Sequence, residues 1–297
     1  MKKIALFLNN SGENELSIGS IKHIHKIYPD AEIHLVSLAE DLPAYSRFPS
    51  EEKKERIEEM LSKLSSFVLK DATEKLGGVK VQSENRIEGR FPEALVNFCN
   101  EGKFDLLVKQ PLLDPDMVDS LSKGDTKLLR NLECSVFIAR EDLDAHTSVL
   151  CGLDCQNDED TKDPLNQKII STSINFCKDL GGSTHIVHAW RMVGQEILQG
   201  RVSKEEFREA LSIYEEIETK AFKNYFETVG SENSDCKFVS HIYNGTPNRV
   251  LPGIARTVQP SLVVLGSVRG STIQNYLLGS TAESFAKTQP YSLLIVK

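Results

Sequence analysis

The chain runs twice through the same order of strands and helices, and this repetition restricts its fold more than any other feature. Residues 87–108 align without gaps with residues 243–264, so that Ile87-Glu-Gly89 lies over Tyr243-Asn-Gly245. The segments 134–140 and 291–297 also coincide. Such self-similarity is typical of an internal duplication. We therefore predict two domains, residues 1–143 and 144–297, joined near the polar stretch 141–146.

Both halves alternate apolar runs with amphipathic segments. In the first half the pattern predicts strands over 1–8, 31–38, 79–87, 105–108 and 135–139, and helices over 11–26, 45–76 and from 91 onward. In the second half it predicts strands over 149–153, 185–190, 237–243, 261–265 and 292–296, and helices over 164–180, 204–229, 247–258 and 280–288. This alternation predicts an α/β fold with parallel sheets, helices on both faces and ligands at the carboxyl ends of the strands.

Length and charge exclude several classes of function. With 297 residues the chain can form two domains of about 150 residues. A net charge of −8 argues against nonspecific binding to nucleic acid or to anionic membranes. No apolar run approaches the roughly 18 residues that would span a bilayer. The apolar stretch Ile4–Leu8 is short and is followed by polar residues, so we interpret it as a first strand and not as a signal peptide.

The six cysteines are scattered, mostly inside apolar stretches. This distribution favours small core residues in a reducing compartment over a disulfide framework. Cys151 and Cys155 lack a further pair at a usual zinc spacing, so we predict no metal site. We expect a cytoplasmic protein.

A candidate ligand site lies near the C-terminal end of the sequence. An apolar run, residues 262–265, ends there at Gly266 and is followed by Gly270 and by Gly279-Ser280. Gly279 and Ser280 lie thirteen and fourteen residues after Gly266. Ser280 and Glu283 have the spacing of a capping box, which predicts a helix from Ser280. A strand, a glycine loop and a helix N-terminus together favour a phosphate cradle. The alternative is two ordinary turns around a surface helix.

With these motifs the chain resembles the universal stress protein family over its whole length. The order of its elements resembles that of the tandem, UspE-like branch. The relevant segments are Asp-Leu-Leu-Val-Lys-Gln at 105–110 and Leu-Val-Val-Leu-Gly-Ser at 262–267. The resemblance implies two tandem flavodoxin-like (Rossmann-like), doubly wound parallel sheets. It also implies a last strand that mediates dimerisation, and so an intramolecular pseudo-dimer or a further homodimer. ATP-binding members of the family carry Gly-x2-Gly-x9-Gly-Ser/Thr after the fourth strand and an aspartate at the end of the first.

Carried over to the second half, the resemblance implies a nucleotide site at the positions that match the motif. These are Asp154, Ala189, Leu265, Gly266, Arg269, Gly270, Gly279, Ser280 and Thr281. The departure is Arg269, which stands where the family has its second glycine; here glycine follows one residue later. A left-handed backbone at this position would cost arginine about 1–2 kcal/mol. Alternatively, the guanidinium could pair with phosphate oxygens.

The first half lacks the motif. Asn9 stands where the aspartate would be, and Gln110 where the first glycine would be. We predict that Asp125 caps the last helix of this half and places a carboxylate at its N-terminus, where it would repel phosphate. The first half is therefore expected to be a structural partner, or to hold a different ligand.

Other candidates have plain structural interpretations. His185 and His188 lie three apart on a strand and so point to opposite faces, which disfavours a shared metal. His188 either lines the pocket or is a packed, hydrogen-bonded residue. The acidic run 158–163 is interpreted as a solvated loop, and Trp190 as an interface residue.

Three hypotheses remain open. The first is a cytoplasmic stress-response protein that acts by ligand or protein binding without dedicated catalysis and requires no cofactor. The stress role is implied by the resemblance alone. The second is a switch or weak ATPase that holds ATP and Mg²⁺ in the second domain. The third is a carrier of an apolar small molecule. No nucleophile motif or Walker sequence is present to favour an enzyme.

Overall fold

The computed structural model describes residues 2–10, 13–40, 50–112, 121–144, 146–155, 163–269 and 276–297. Its contacts divide the chain into two compact units. Unit 1 comprises Met1–Leu143, Ser267–Ile295 and Lys297, and unit 2 comprises Asp144–Gly266 and Val296. The segment 267–295 thus belongs to the same unit as the first 143 residues. The boundaries of the two sequence domains remain a prediction.

Up to residue 143 the described elements alternate between strands and helices. They are β1 (Lys3–Leu8), α1 (Glu15–Ile27), β2 (Glu32–Glu40), α2 (Glu51–Leu76), β3 (Val81–Gly89), α3 (Glu93–Glu101), β4 (Leu106–Lys109), α4 (Lys123–Asn131) and β5 (Ser135–Ile138).

The same alternation continues to the end of the sequence. The elements are β6 (Val149–Leu153), α5 (Pro164–Leu180), β7 (Ser183–Trp190), α6 (Gln195–Gln199), α7 (Lys204–Glu232), β8 (Lys237–Asn244), α8 (Pro247–Val258), β9 (Leu262–Gly266), β10 (Val268–Arg269), β11 (Tyr276–Leu277), α9 (Ser280–Thr288) and β12 (Ser292–Val296).

Unit 1 is built on a sheet in the order β3-β2-β1-β4-β5-β12. The first five strands pair in parallel, with Leu6 opposite both Leu35 and Val108. The last pairing is antiparallel and places Leu294 of β12 opposite Phe137 of β5. Strands β4, β5 and β12 are buried along their whole length, as expected for strands covered on both faces.

Unit 2 carries a parallel sheet in the order β9-β6-β7-β8. Its first strand, β6, lies between β7 and β9, just as β1 of unit 1 lies between β2 and β4. In each unit the second and third strands follow on one side of the first strand, and the fourth strand lies on its other side. This arrangement makes the fold doubly wound. The predicted α/β, Rossmann-like fold class is confirmed.

Several predicted boundaries need correction. Helix α1 begins at Glu15 with Asn14 at its N-cap, while the predicted start at Ser11 lies outside the described residues. Helix α2 begins at Glu51, and residues 45–49 of its predicted span also lie outside them. The short helix α6 and the antiparallel β10–β11 pair were not predicted, because α6 has no buried residue and each strand of the pair has only two residues.

Candidate functional site

The carboxyl ends of β6 and β9 bring two of the predicted site residues to neighbouring positions in unit 2. Asp154 directly follows β6 and is exposed, and Gly266 is the last residue of β9. Leu265 is buried, and its Cδ2 atom would lie 2.9 Å from a Cβ built on Gly152. Ala189 lies half-buried near the end of β7. This edge is where open α/β sheets hold their ligands.

Gly266 has a packing reason to be glycine. A Cβ at this position would lie 2.9 Å from side-chain carbons of both Leu165 and Ile169, in the first two turns of α5. Its φ angle is not in the left-handed region, so close approach is the constraint. Helix packing alone therefore explains this glycine, and a phosphate contact is not needed to do so.

An asparagine anchors the first helix of each repeat to the end of its first strand. In unit 2 the Nδ2 of buried Asn166 donates to the carbonyl oxygen of Asp154 at 2.6 Å. In unit 1 the Nδ2 of Asn14 donates to the carbonyl oxygen of Asn9 at 2.9 Å, and Asn14 Oδ1 accepts from Asn9 N at 2.8 Å. Sequence reasoning missed both anchors. The signal in the sequence is an asparagine at the start of the helix that follows the first strand of each half.

The start of α9 carries the second part of the motif and belongs to unit 1. Gly279 is the N-cap, Ser280 and Thr281 are the first helical residues, and no side chain of the described residues caps this end. The predicted capping box is therefore wrong. Arg130 donates to both carboxylate oxygens of Glu283, at 3.0 and 2.5 Å, and Lys287 donates to one of them. The hydrogen bond from Arg130 and the contact with Lys287 lower the pKa of Glu283.

Two of the motif residues cannot be placed as binding groups. The backbone of Arg269 lies in β10, which pairs with β11, and Gly270 lies outside the described residues. Of the other predicted residues, Asp154, Ala189, Leu265 and Gly266 belong to unit 2, whereas Gly279, Ser280 and Thr281 belong to unit 1.

The corresponding place in the first repeat is filled by an internal ion pair. The Nζ of Lys109 donates to Asp125 Oδ1 at 2.5 Å, and the N–H of Leu112 donates to Asp125 Oδ2 at 2.6 Å. The two charged side chains are 1% and 3% exposed. Burial lowers the pKa of Lys109, although the nearby Asp125 carboxylate opposes this shift.

Helix α4 differs from its prediction in one detail. Its N-cap is Ser122, whose Oγ accepts from the N–H of Asp125 at 3.0 Å, so the predicted cap by Asp125 is wrong. Asp125 nevertheless lies in the first turn of the helix, where its carboxylate faces the positive end of the dipole. The ring of Phe91 lies so close to Gly124 that a Cβ there would approach it to 2.7 Å.

His188 is a packed residue of unit 2. It is fully buried, its Nε2 lies 3.1 Å from Glu218 Oε2, and its ring stacks on Phe222. His185 makes a separate contact, with its Nδ1 2.8 Å from His241 Nε2. The two histidines therefore do not share a partner. Trp190 is buried at the end of β7.

A repeated, doubly wound α/β unit with a glycine-containing loop between its fourth strand and last helix defines a known class of protein. The model of the universal stress protein family matches residues 148–297, which is half of the chain. The chain belongs to the universal stress protein family. This membership associates it with the stress response.

Full-length similarity identifies the tandem branch of the family. The universal stress protein E homolog of Haemophilus influenzae is 22% identical, and the match covers 100% of this chain and 97% of that protein. Universal stress protein E of Escherichia coli strain K12 is 23% identical over 74% of this chain and 69% of its own length. The predicted resemblance to this branch is confirmed.

Solved structures share the fold over the whole chain. A universal stress protein from Archaeoglobus fulgidus has a TM-score of 0.63 at 16% identity, with 99% of this chain and 98% of that chain covered. A protein from Pseudomonas aeruginosa PAO1 also has a TM-score of 0.63, at 18% identity, with 100% and 92% covered. None of the described helices is long and apolar enough to cross a membrane.

Proposed function

We propose that this chain is a stress-response protein that acts by binding, and that its regulatory ligand is ATP, whose phosphates bind at the N-terminus of α9. The observation that carries the proposal is the contrast between the starts of α9 and α4. These helices occupy equivalent places before the last strand of each repeat, but the first-turn carboxylate of α4 accepts from the loop N–H of Leu112, whereas that of α9, Glu283, is bonded to Arg130 and Lys287.

At the start of α4 the backbone donors and the positive end of the dipole already face a carboxylate. Asp125 lies in the first turn, and its two oxygens are bonded to Leu112 N and Lys109 Nζ. A phosphate placed there would meet a buried negative charge, which is strongly unfavourable. The first repeat is therefore proposed not to bind ATP.

At the start of α9 the helix position of Asp125 is occupied by Ala282, and Gly279, Ser280 and Thr281 before it bring no charge. Within the described part of the chain, no side chain caps this end. The first-turn N–H groups of such a helix are suited to phosphate oxygens, and two hydroxyls are at hand as further donors.

Calorimetric titration of ATP with Mg²⁺ into the nucleotide-free protein tests the proposal, and Gly279→Asp is the decisive variant. Gly279 has φ −60° and ψ 141°, which aspartate adopts readily as an N-cap. Because Gly279 is buried, thermal unfolding first shows that the variant is folded; it then places a carboxylate where phosphate would bind. We expect one ATP per chain for the original protein and no heat for the variant.

The matched control is Ser122→Asp, which makes the same kind of change at the N-cap of α4 and should leave ATP binding unaltered. Arg269→Gly tests the departure from the family motif. A sharp gain in affinity would mean that arginine obstructs the site, and a loss would mean that it contributes to binding. No heat from the original protein up to millimolar ATP, together with none from Arg269→Gly, would contradict the proposal.

We further propose that ATP is a ligand and not the substrate of a dedicated reaction. His188 and Glu218 form a buried acid–base pair between β7 and α7, and the ring of His188 stacks on Phe222. A group so enclosed holds the helix to the sheet. Steady-state phosphate release should therefore be slow and unaffected by His188→Gln in folded protein.

A second candidate function, transport of an apolar small molecule, is favoured by the surface of α2. The first 14 residues of this helix, 51–64, include no buried side chain, and Met60 and Phe67 are 62% and 67% exposed. A groove of about 560 Å³ follows this face, lined by Ile57, Met60, Leu61, Lys63, Leu64 and Phe67. Co-purification of a lipid-like ligand, abolished by Met60→Glu, would support this function. Its absence in native mass spectrometry would oppose it.

A further inference from the structure

Exposed apolar side chains gather on the two longest helices of the described residues. Of the ten large apolar side chains that are exposed in this part of the chain, four lie on α2 and two on α7. Three more, Val193, Ile197 and Val202, lie on or beside the short helix α6, which precedes α7 along the chain. Clusters of this kind, unlike scattered apolar residues, mark contact surfaces.

The four exposed residues of α2 form a stripe along the helix. Ile57, Met60, Leu64 and Phe67 follow one another at intervals of three, four and three residues, which is the spacing of a seam that packs against a second helix. A different face of α2, around Leu69, is buried. One face of the helix is therefore packed within its own unit, and a second apolar face is exposed to solvent.

Helix α7 carries a similar stripe in the second repeat. Like α2, it lies between the second and third strands of its repeat. Ile213 and Ile217 are 53% and 55% exposed, and the half-buried Ala210 precedes them at the same spacing. The buried face of α7, around Phe222, again lies elsewhere. Equivalent helices of the two repeats thus both present an apolar seam.

The charges beside the two stripes have opposite signs. On α2 the flanking positions carry Arg56, Lys63 and Lys70, one every seven residues, and on α7 the equivalent positions carry Glu209 and Glu216. Lys63 and Lys70 are 73% and 78% exposed, and their ion pairs within α2 are surface contacts of the weak kind. Flanking charges of this kind decide which helices pair and in which direction.

An antiparallel arrangement places the opposite charges together, because the residues just before the seam positions of each helix then face each other. With the two stripes aligned in this way, Lys63 faces Glu216 and Lys70 faces Glu209. Two copies of α2 would instead set lysine against lysine, and two copies of α7 would set glutamate against glutamate, which is unfavourable. The charges therefore favour a contact between α2 and α7 over a contact between like helices.

We propose that the chain self-associates by docking the α2 stripe of one copy, antiparallel, on the α7 stripe of a second copy. Leu64 then packs against Ile213. Arg56 lies opposite Lys223 in this alignment, so that two of the three flanking pairs attract. A contact between two different surfaces either closes into a two-fold pair or continues into a longer assembly, and both raise the average mass as concentration rises. The contact uses no residue of the ATP site proposed above.

Sedimentation velocity of the full-length protein at increasing concentration tests the proposal. We expect the average sedimentation coefficient of the original protein to rise with concentration. The double variant Lys63→Glu with Lys70→Glu should remain monomeric, and so should Glu209→Lys with Glu216→Lys. Mixed in equal amounts, the two variants should associate as the original does, because the reversed α2 then meets a reversed α7 and the original α2 meets an original α7.

The mixture is the decisive sample, since a loss of association through misfolding would not be repaired by mixing. A mixture that stays monomeric while the original protein associates would overturn the proposal, as would an original protein that is monomeric at every concentration. The matched control is Lys22→Glu with Lys80→Glu, which makes the same change in net charge at two exposed lysines outside α2. This control should associate as the original does.

An apolar small molecule is the competing occupant of the α2 stripe, and Ile217→Glu distinguishes the two because it leaves α2 unchanged. If a second copy covers the stripe, this variant should weaken self-association by about tenfold or more, since a carboxylate would enter an apolar contact. Association that is lost with Met60→Glu but unaffected by Ile217→Glu would overturn the assignment of α7. A monomer that carries a lipid-like ligand in native mass spectrometry would overturn the proposal as a whole.

Discussion

At the residue scale, the buried Lys109–Asp125 pair separates the two repeats most clearly. In the repeat alignment Lys109 corresponds to Leu265, so a charge stands where the second repeat has a buried apolar side chain. A buried ion pair gains little over apolar residues of similar size, but an unpaired buried charge is strongly destabilising. Removing one partner of the pair should therefore destabilise the protein far more than replacing both partners with apolar residues.

Asp125→Ala should lower the free energy of unfolding by about 3–5 kcal/mol, because it leaves the Lys109 ammonium buried without its partner. The double variant Lys109→Met with Asp125→Leu should recover most of the loss. Urea denaturation measures both. As a control, Lys127→Ala breaks the exposed pair with Glu93 and should leave the midpoint unchanged. A double variant as unstable as the single one would show that the charges themselves are needed.

The stacked His185–His241 pair predicts how stability depends on pH. Burial lowers the pKa of His185 to about 4 and also lowers that of His241, from an ordinary value of 6.5. Between pH 6.5 and 4 the unfolded chain binds protons that the folded chain does not, so stability falls as the pH falls through this window. Urea midpoints measured from pH 7.5 to 4.5 should show this fall. His185→Gln should flatten it, and an unchanged slope in that variant would refute the assignment.

The residue scale also shows why site prediction was incomplete. A carboxylate at the start of α4 was expected from the sequence 124–126 alone, since the helix dipole acts locally. Its lysine partner could not be predicted, because Lys109 lies 16 residues away on a strand and only the fold brings the two together. The asparagine anchors, in contrast, are local: Asn14 lies 5 residues from Asn9 and Asn166 lies 12 from Asp154, so the sequence held a signal for both.

At the element scale, several helices and strands lie where the sequence pattern predicts them. Helices α5 and α8 and strand β6 begin and end at the residues expected from their apolar patterns and flanking prolines and glycines. The capping box at α9 failed although its local pattern was correct, because Gly279 and not Ser280 is the N-cap, and Glu283 is bonded to Arg130, 153 residues away. Nonlocal contacts decide between local alternatives of similar energy.

Two glycines of unit 2 predict opposite effects of the same substitution. A Cβ on Gly253, in the middle of α8, meets nothing within 4 Å, so Gly253→Ala should raise the free energy of unfolding by about 0.5–1 kcal/mol through helix propensity. Thermal unfolding measures the change. A Cβ on Gly182 would overlap the carbonyl oxygen of Thr147, so Gly182→Ala should destabilise by about 3 kcal/mol or more. Similar effects at the two positions would contradict this account.

At the scale of the whole molecule, the segment 267–295 is the main difference between the sequence plan and the compact units. Arg140 after β5 donates to the carbonyl oxygen of Ala286 at 2.5 Å and to that of Gln289, and Ser292 Oγ accepts from Arg140 N at 3.0 Å. Repeats can be found in a sequence, but the pairing of β12 with β5 across more than 150 residues cannot be inferred from periodicity.

Hydrogen exchange should show the division of the chain into units 1 and 2. Phe285 of α9 and Phe222 of α7 are both 2% exposed, so replacing either with alanine should cost about 3–5 kcal/mol. Phe285→Ala should accelerate amide exchange in β4 and β5, whereas Phe222→Ala should do so in β6, β7 and β8. Identical exchange patterns in the two variants would show that the chain unfolds as a single cooperative block.

The antiparallel pairing of β5 with β12 sets an order of events during protein synthesis. Residues 1–143 leave the ribosome first, but their sheet ends in an unpaired β5 until residues 292–296 have been made. The 123 residues of the segment 144–266 emerge in between and contain every strand of the second unit. Unit 2 therefore has all its strands before unit 1 is complete, and for that interval the nascent chain presents the edge of β5 to whatever strand it meets first.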